Sequence, residues 1–261
     1  MPFTPSHAAA ALPFLRTPLL PAALVAGSVA PDLPYFLPLP VLRGATHEWW
    51  SAPTVDLVIG ASALLIWFAV LRAPLLALAP RWISARMLAA APWGPRPFGR
   101  TAVGLVFASL FVGIVTHLVW DAFTHRGSLP QVLPALATQW GPLPVFSWLQ
   151  HLSTITGLVI LAVWARRWAR RTPVDGTREP HMSARLRISS WVAVIAVFGI
   201  AGLAAWIPGI VAGLAPFDPG LVFLVGRVSV GAAGAAALVI CLAWWAARRR
   251  LPNADLPVGD A

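Results

Sequence analysis

One stretch of the sequence concentrates groups that hold ions: Thr116-His117-Leu118-Val119-Trp120-Asp121-Ala122-Phe123-Thr124-His125. His117, Asp121 and His125 recur every fourth residue, so on a helix they share one stripe. Neighbouring members of the stripe are close enough to share a divalent ion. His117 and His125 are about 12 Å apart along an ideal helix axis, too far to ligate the same ion. Asp121 therefore works with one of the two histidines, or it bridges two ions.

Further ligands have to come from elsewhere in the chain. The candidates are His7, Asp32 in Ala30-Pro31-Asp32, His47 beside Glu48, and His151 after Leu149-Gln150. Mixed histidine and carboxylate ligation suits a divalent first-row ion, zinc first, with iron or manganese as alternatives. Such an ion lowers the pKa of bound water, and a carboxylate such as Glu48 or Asp121 could orient that water or take its proton. Each residue also has a plainer role open to it. His117 could pack between helices, Asp121 could cap a helix or pair with Arg126, and Asp32 could shape a turn after Pro31. His47 could be solvated, His151 could sit at a helix start, and His7 could be an ordinary polar residue beside Thr4 and Ser6. What favours chemistry is that an ionisable group one turn from His117 in an apolar run usually needs a partner.

The elements that must position these residues are membrane helices. The chain has 261 residues, 58% hydrophobic and 11% charged, with a mean hydropathy of +0.75, whereas soluble domains are about a quarter charged. A bilayer core about 30 Å thick asks for roughly 20 apolar residues per helix. Five segments approach that length: 54–71, 101–120, 152–165, 188–206 and 221–247. Trp206-Ile207-Pro208-Gly209 predicts a helix stop, and Asp218-Pro219 predicts an N-cap with proline in the first turn. The expected fold is an all-α integral membrane bundle, one domain over residues 1–261. Residues 1–170 carry the site, 188–247 form an additional helical pair, and 248–261 form a cytoplasmic tail.

The N-terminal segment admits two arrangements. A single helix from His7 to Asp32 would place those residues about 37 Å apart, whereas a bent or re-entrant pair of short helices would bring them to one face. Pro13, Pro18 and Pro21, with Arg16 among them, favour the bend, giving five full spans; the alternative is six. The leading residues lack the basic start of a secretory leader and are read as part of the mature chain.

All 19 basic residues are arginine, against 9 acidic residues. Fifteen of them fall in the 72–100 loop, the 166–187 loop and the 248–250 tail. In an alternating topology these lie on one side, which the positive-inside rule makes cytoplasmic in a bacterial inner membrane. Orientation thus explains the charge without nucleic acid, and leaves anionic lipid as a contact. The candidate ligands fall on the opposite, extracytoplasmic face. Cys241 is the lone cysteine, so no intramolecular disulfide or cysteine metal site can form. Neither a phosphate-binding glycine loop nor a Gly-x-Ser-x-Gly elbow is present. Gly231 and Gly234 read as close helix packing, and the pairs Trp49-Trp50 and Trp244-Trp245 read as interfacial anchors.

At Met1-Pro2-Phe3-Thr4-Pro5-Ser6-His7, Gly27-Ser28-Val29-Ala30-Pro31-Asp32, the Thr116–His125 stretch and Leu149-Gln150-His151, the chain resembles an uncharacterised bacterial membrane family, domain of unknown function 4184. The resemblance is good over the first 150 to 170 residues. That family looks distantly similar to YdjM-type inner-membrane proteins predicted to be metal-dependent hydrolases, which implies metal ligation by His7, Asp32, His47, His117, Asp121, His125 and His151. The leading expectation is accordingly a metal-dependent membrane hydrolase at the extracytoplasmic face, acting on an amphiphilic phosphoester. Its rivals are a transporter or proton-coupled permease, with His117 and Asp121 as a relay, and a non-catalytic membrane scaffold.

Overall fold

The computed structural model describes residues 4–37, 45–89, 100–125, 127–174 and 182–250. Among them are five helices long and apolar enough to cross a membrane: Val55–Leu78 (α2), Ala102–Thr124 (α3), Val145–Arg171 (α4), Ala184–Val211 (α5) and Pro219–Arg250 (α6). They follow a shorter helix, Pro21–Val29 (α1). The fold is all-α apart from a two-residue hairpin pairing, Gln139–Trp140 with Leu143–Pro144. The chain is a multi-pass membrane protein by this architecture. Outward residues such as Val58, Ile155, Ile195 and Val239 are more than half exposed, the pattern expected where lipid replaces water against the helix.

By contacts the chain falls into two compact units, and α2 leaves the first for the second after Leu64. The first unit holds the N-terminal helices, α3 and α4. Its N-terminal segment is bent: a 3-10 helix over Thr4–Arg16, a turn, α1, and a short 3-10 turn over Ala30–Asp32. The bend lets Thr4 Oγ1 donate to Asp32 Oδ2 at 2.6 Å. Proline at the first turn of α1 explains why a new helix starts there, and the free N–H of Leu20 just before it donates to Ser109 Oγ on α3 at 2.8 Å.

α1 lies directly on α3. A Cβ at Gly27 would sit 2.1 Å from the Leu110 carbonyl oxygen, and one at Gly113 would sit 2.2 Å from the Leu24 carbonyl oxygen. Only glycine allows two backbones to approach so closely. Leu24, Leu110 and Ile114 are fully buried around this crossing. The crossing sets the distance between Ser28 on α1 and His117 on α3, and so shapes the site below.

The second unit is built on the α5–α6 pair, with the lower part of α2 and its turn of π-helix over Trp67–Leu71. Asp218 Oδ1 accepts from the Leu221 N–H at 3.0 Å, the N-cap that the sequence predicts. The predicted stop at Pro208-Gly209 is corrected: α5 continues through Pro208 to Val211. Proline there removes one hydrogen bond only a turn from the end, and termination comes at Gly213, whose φ is +85°. Gly213 N–H donates to the Ile210 carbonyl and Leu214 N–H to the Gly209 carbonyl, a Schellman closure.

Two further packing expectations divide. A Cβ at Gly231 would meet the Phe36 carbonyl oxygen at 2.5 Å, while Gly234 has nothing within 4 Å. Trp49 and Trp50 are exposed, but Trp244 is buried with Ala77, Leu78 and Met182, and Trp245 Nε1 donates to the Val70 carbonyl at 3.0 Å. The second tryptophan pair therefore packs within this unit. Residues 251–261 of the expected tail lie outside the described residues, as does Arg126.

Candidate metal centre

Four of the residues singled out from the sequence meet in the first unit. His47, His117, Asp32 and Asp121 each offer one ligand atom, and these atoms all lie within 4.8 Å of one another. His117 Nε2 is 3.3 Å from Asp121 Oδ2 and 3.7 Å from Asp32 Oδ1, and His47 Nε2 is 3.4 Å from each of the same two oxygens. The edge of a tetrahedron with bonds of about 2.1 Å is about 3.4 Å. Nitrogens and oxygens thus alternate around a space of the size that a divalent ion fills.

The protonation pattern points the same way. His117 Nδ1 lies 2.8 Å from the Ser28 carbonyl oxygen, which can only accept, so Nδ1 carries a hydrogen. In the neutral ring Nε2 is then a lone pair facing two carboxylate oxygens. At His47, Thr46 Oγ1 donates its one hydrogen to the Pro31 carbonyl at 2.8 Å, so its 3.3 Å contact with His47 Nδ1 has the ring as donor. Once the ring is neutral, as ion binding requires, this tautomer turns a lone pair on His47 Nε2 toward Asp32 and Asp121. Outer contacts of this kind orient metal-binding histidines.

His117 and Asp32 are fully buried and Asp121 is 5% exposed. Asp32 Oδ1, His117 Nε2 and both Asp121 carboxylate oxygens are buried without a hydrogen bond among the described residues. Two carboxylates in this setting need about two positive charges to balance them. A divalent ion or two protonated imidazoles would supply those charges. Burial lowers the affinity of His47 for a proton, but its contacts with the Asp121 and Asp32 carboxylates outweigh burial and hold its pKa up at about 9.

His7 and His125 flank the four. His7 Nε2 is 3.6 Å from Asp121 Oδ1, and its ring stacks on His117 with centroids 4.1 Å apart. Burial, followed by the neighbouring His117, pushes the His7 pKa down to about 4. His125 Nδ1 is 3.1 Å from the Asp121 carbonyl oxygen and 3.4 Å from its Oδ2. The remaining two candidates are not among the four: Glu48 is exposed on the turn directly after His47, and His151 is exposed on α4. Thr4, Ser28, Thr46 and the two crossing glycines support the site and were not singled out from the sequence for that role. Ser28 and Thr4 lie within the motifs of the family resemblance, but their partners are 89 and 28 residues away.

The cluster is therefore a His2Asp2 set capable of holding a divalent metal. No curated protein and no solved structure shows a match to the chain. The matching family model leaves activity open, and nothing in these comparisons ties the chain to YdjM-type hydrolases. That model, described as a domain of unknown function (DUF4184), covers residues 1–245, and the chain belongs to this family.

Proposed function

We propose that the protein is a metal-dependent membrane hydrolase. The observation that carries this reading is the convergence of two histidine Nε2 atoms on two carboxylates at 3.3–3.7 Å, with Asp32, His117 and Asp121 buried. His47, His117, Asp32 and Asp121 would hold the ion, with zinc the first choice for such a donor set. When bound, the ion supplies a lowered pKa for water and neutralisation of an oxyanion. Among the chain's own groups, the Ser28 carbonyl and Thr46 Oγ1 orient His117 and His47 through Nδ1, and Glu48 on the adjacent turn is the candidate to take a proton from water. His7 and His125, against the two sides of the Asp121 carboxylate, would handle protons or complete a second ion site.

In the proposed topology the arginine-rich 72–100 and 166–187 loops and the C-terminus face the cytoplasm of an inner membrane, and the site faces the other side. A site at that depth suits an amphiphilic phosphoester, whose headgroup reaches the ion while its chain stays in lipid. The whole of residues 1–261 would then act as one membrane domain, with the site in residues 1–170.

The first test is metal analysis of the purified protein beside Asp121→Asn and His117→Ala variants. Near-stoichiometric metal in the wild type, lost in both variants, supports the reading. Background metal in all three would overturn it. Phosphoester and amide substrates, assayed with and without chelator, then identify the bond.

A further inference from the structure

A third acid is buried in the same unit and takes no part in the ligand set. Asp56, in the first turn of α2, is fully buried. Its Oδ2 lies 2.6 Å from Ser51 Oγ, and Ser51 Oγ lies 2.6 Å from the Glu48 carbonyl oxygen. Both separations are in the range of real O–H···O hydrogen bonds. A serine hydroxyl has one hydrogen to donate, and a carbonyl has none. If Asp56 were ionised, two acceptors, Asp56 Oδ2 and the Glu48 carbonyl, would compete for that single hydrogen, and one of the two short contacts would be oxygen against oxygen. Both contacts are satisfied only when Asp56 donates to Ser51 and Ser51 donates to Glu48.

The other carboxyl oxygen gives an independent indication. Asp56 Oδ1 is buried and has no hydrogen-bond partner among the described residues. An ionised carboxylate so poorly solvated is strongly disfavoured, whereas a neutral acid tolerates one bare carbonyl oxygen far better. Among the described residues, the ionisable groups that act on it are His47 and His117.

From this geometry we infer that Asp56 is a neutral, protonated acid and a positioning residue for the metal centre. The chain Asp56–Ser51–Glu48 ties the start of α2 to the turn that follows His47. Around it, Glu48 N–H donates to the Ala45 carbonyl and Thr46 Oγ1 to the Pro31 carbonyl, so the turn is held at both ends while His47 Nε2 faces the two ligand carboxylates. Asp56 thereby acts through the backbone of the turn and not on the ion itself. Its role as a positioning residue rests on the metal reading above, but its protonation does not.

Infrared spectroscopy of the full chain in nanodiscs at neutral pH, wild type against Asp56→Asn, tests the proton directly. A carbonyl band of a protonated carboxylic acid is expected in the wild type and absent from the variant; no difference between the two would overturn the proposal. Cobalt(II) titration, read from its visible spectrum, tests the positioning role. Asp56→Asn retains a neutral donor toward Ser51 and should hold cobalt within about threefold of wild type. Asp56→Ala removes the donor and should weaken binding by about 10–100-fold, the usual cost of breaking outer contacts to a ligand. Equal loss in the two variants would show that the charge is needed and would sink the inference. Should Asp56→Ala not fold, the infrared comparison and the Asn variant still decide. If the wild type itself takes no cobalt, the metal reading fails while the infrared band still reports the proton.

Discussion

The two units of the chain solve different problems with the same kind of helix. In the first, α1 and α3 touch backbone to backbone at Gly27 and Gly113, and the crossing carries buried His117, Asp121 and Asp32 to one point. In the second, α5 and α6 pair along apolar faces, and the polar groups serve helix ends and packing: Asp218 as a cap, Gly213 as a stop, Trp245 donating to a carbonyl. Small residues at a helix contact are common to both. What separates them is the kind of atom left buried without a hydrogen bond: histidine nitrogens and carboxylate oxygens that can ligate an ion in the first unit, and among the described residues of the second an indole donor, Trp244 Nε1.

The largest effect expected from breaking that contrast is loss of the ion. His117→Ala or Asp121→Asn should reduce tightly held metal to background, at least a 100-fold fall in affinity by comparison with the 10–100-fold cost of outer contacts alone. Isothermal titration with zinc checks this, and the α5–α6 pair should keep its helicity in both variants.

Glycine substitutions sharpen the comparison next. Alanine in place of Gly113 gains under about 1 kcal/mol of helix propensity. Against this, its Cβ collides with the Leu24 carbonyl, and overpacking of this kind costs about 1–3 kcal/mol or more. The clash wins, and thermal unfolding should show net destabilisation together with weakened metal binding. Gly234→Ala meets nothing within 4 Å and should be neutral or slightly stabilising.

A pH series distinguishes ion from protons. With the His47 pKa held at about 9 in the folded protein, against an ordinary value of 6.5, binding an ion requires release of the His47 proton throughout the neutral range. Metal affinity should rise by up to about tenfold per pH unit until about pH 9. The metal-free protein should behave oppositely: the His47 contribution to its stability is fully present below about 6.5 and disappears as the pH climbs to about 9. Affinity that is flat across this range would argue against His47 as a ligand.

Smaller effects are expected away from the site. Gly213→Ala, forced into a left-handed conformation at +85°, should cost about 1–2 kcal/mol without changing metal content. His151→Ala, on the exposed side of α4, should leave both stability and metal content unchanged within error.

Much of the fold can be read directly from hydropathy. Apolar run length sets the number of membrane helices because an unpaired backbone is too costly in lipid, and all five runs expected from the sequence are long helices in the structure. Local chemistry was legible at Asp218-Pro219, where the cap lies within three residues of the N–H it binds. Proline at 208 misleads because its cost depends on how much helix follows, which composition does not reveal.

For the site, the sequence by itself determined one side only. His117 and Asp121 face together because a helix repeats every 3.6 residues. Only the tertiary structure decided that Asp32 and His47 join them while Glu48 and His151 stay exposed, since their placement depends on chain bends and a glycine crossing distant in sequence. It also decided the hydrogen-bond partners of Nδ1 on His117 and His47, and the burial of Asp56, which reads locally as an ordinary helix-start acid. Sequence spacing reports short-range geometry faithfully. The direction of a lone pair, or the home of a single proton, is set by oxygens that the fold brings from elsewhere.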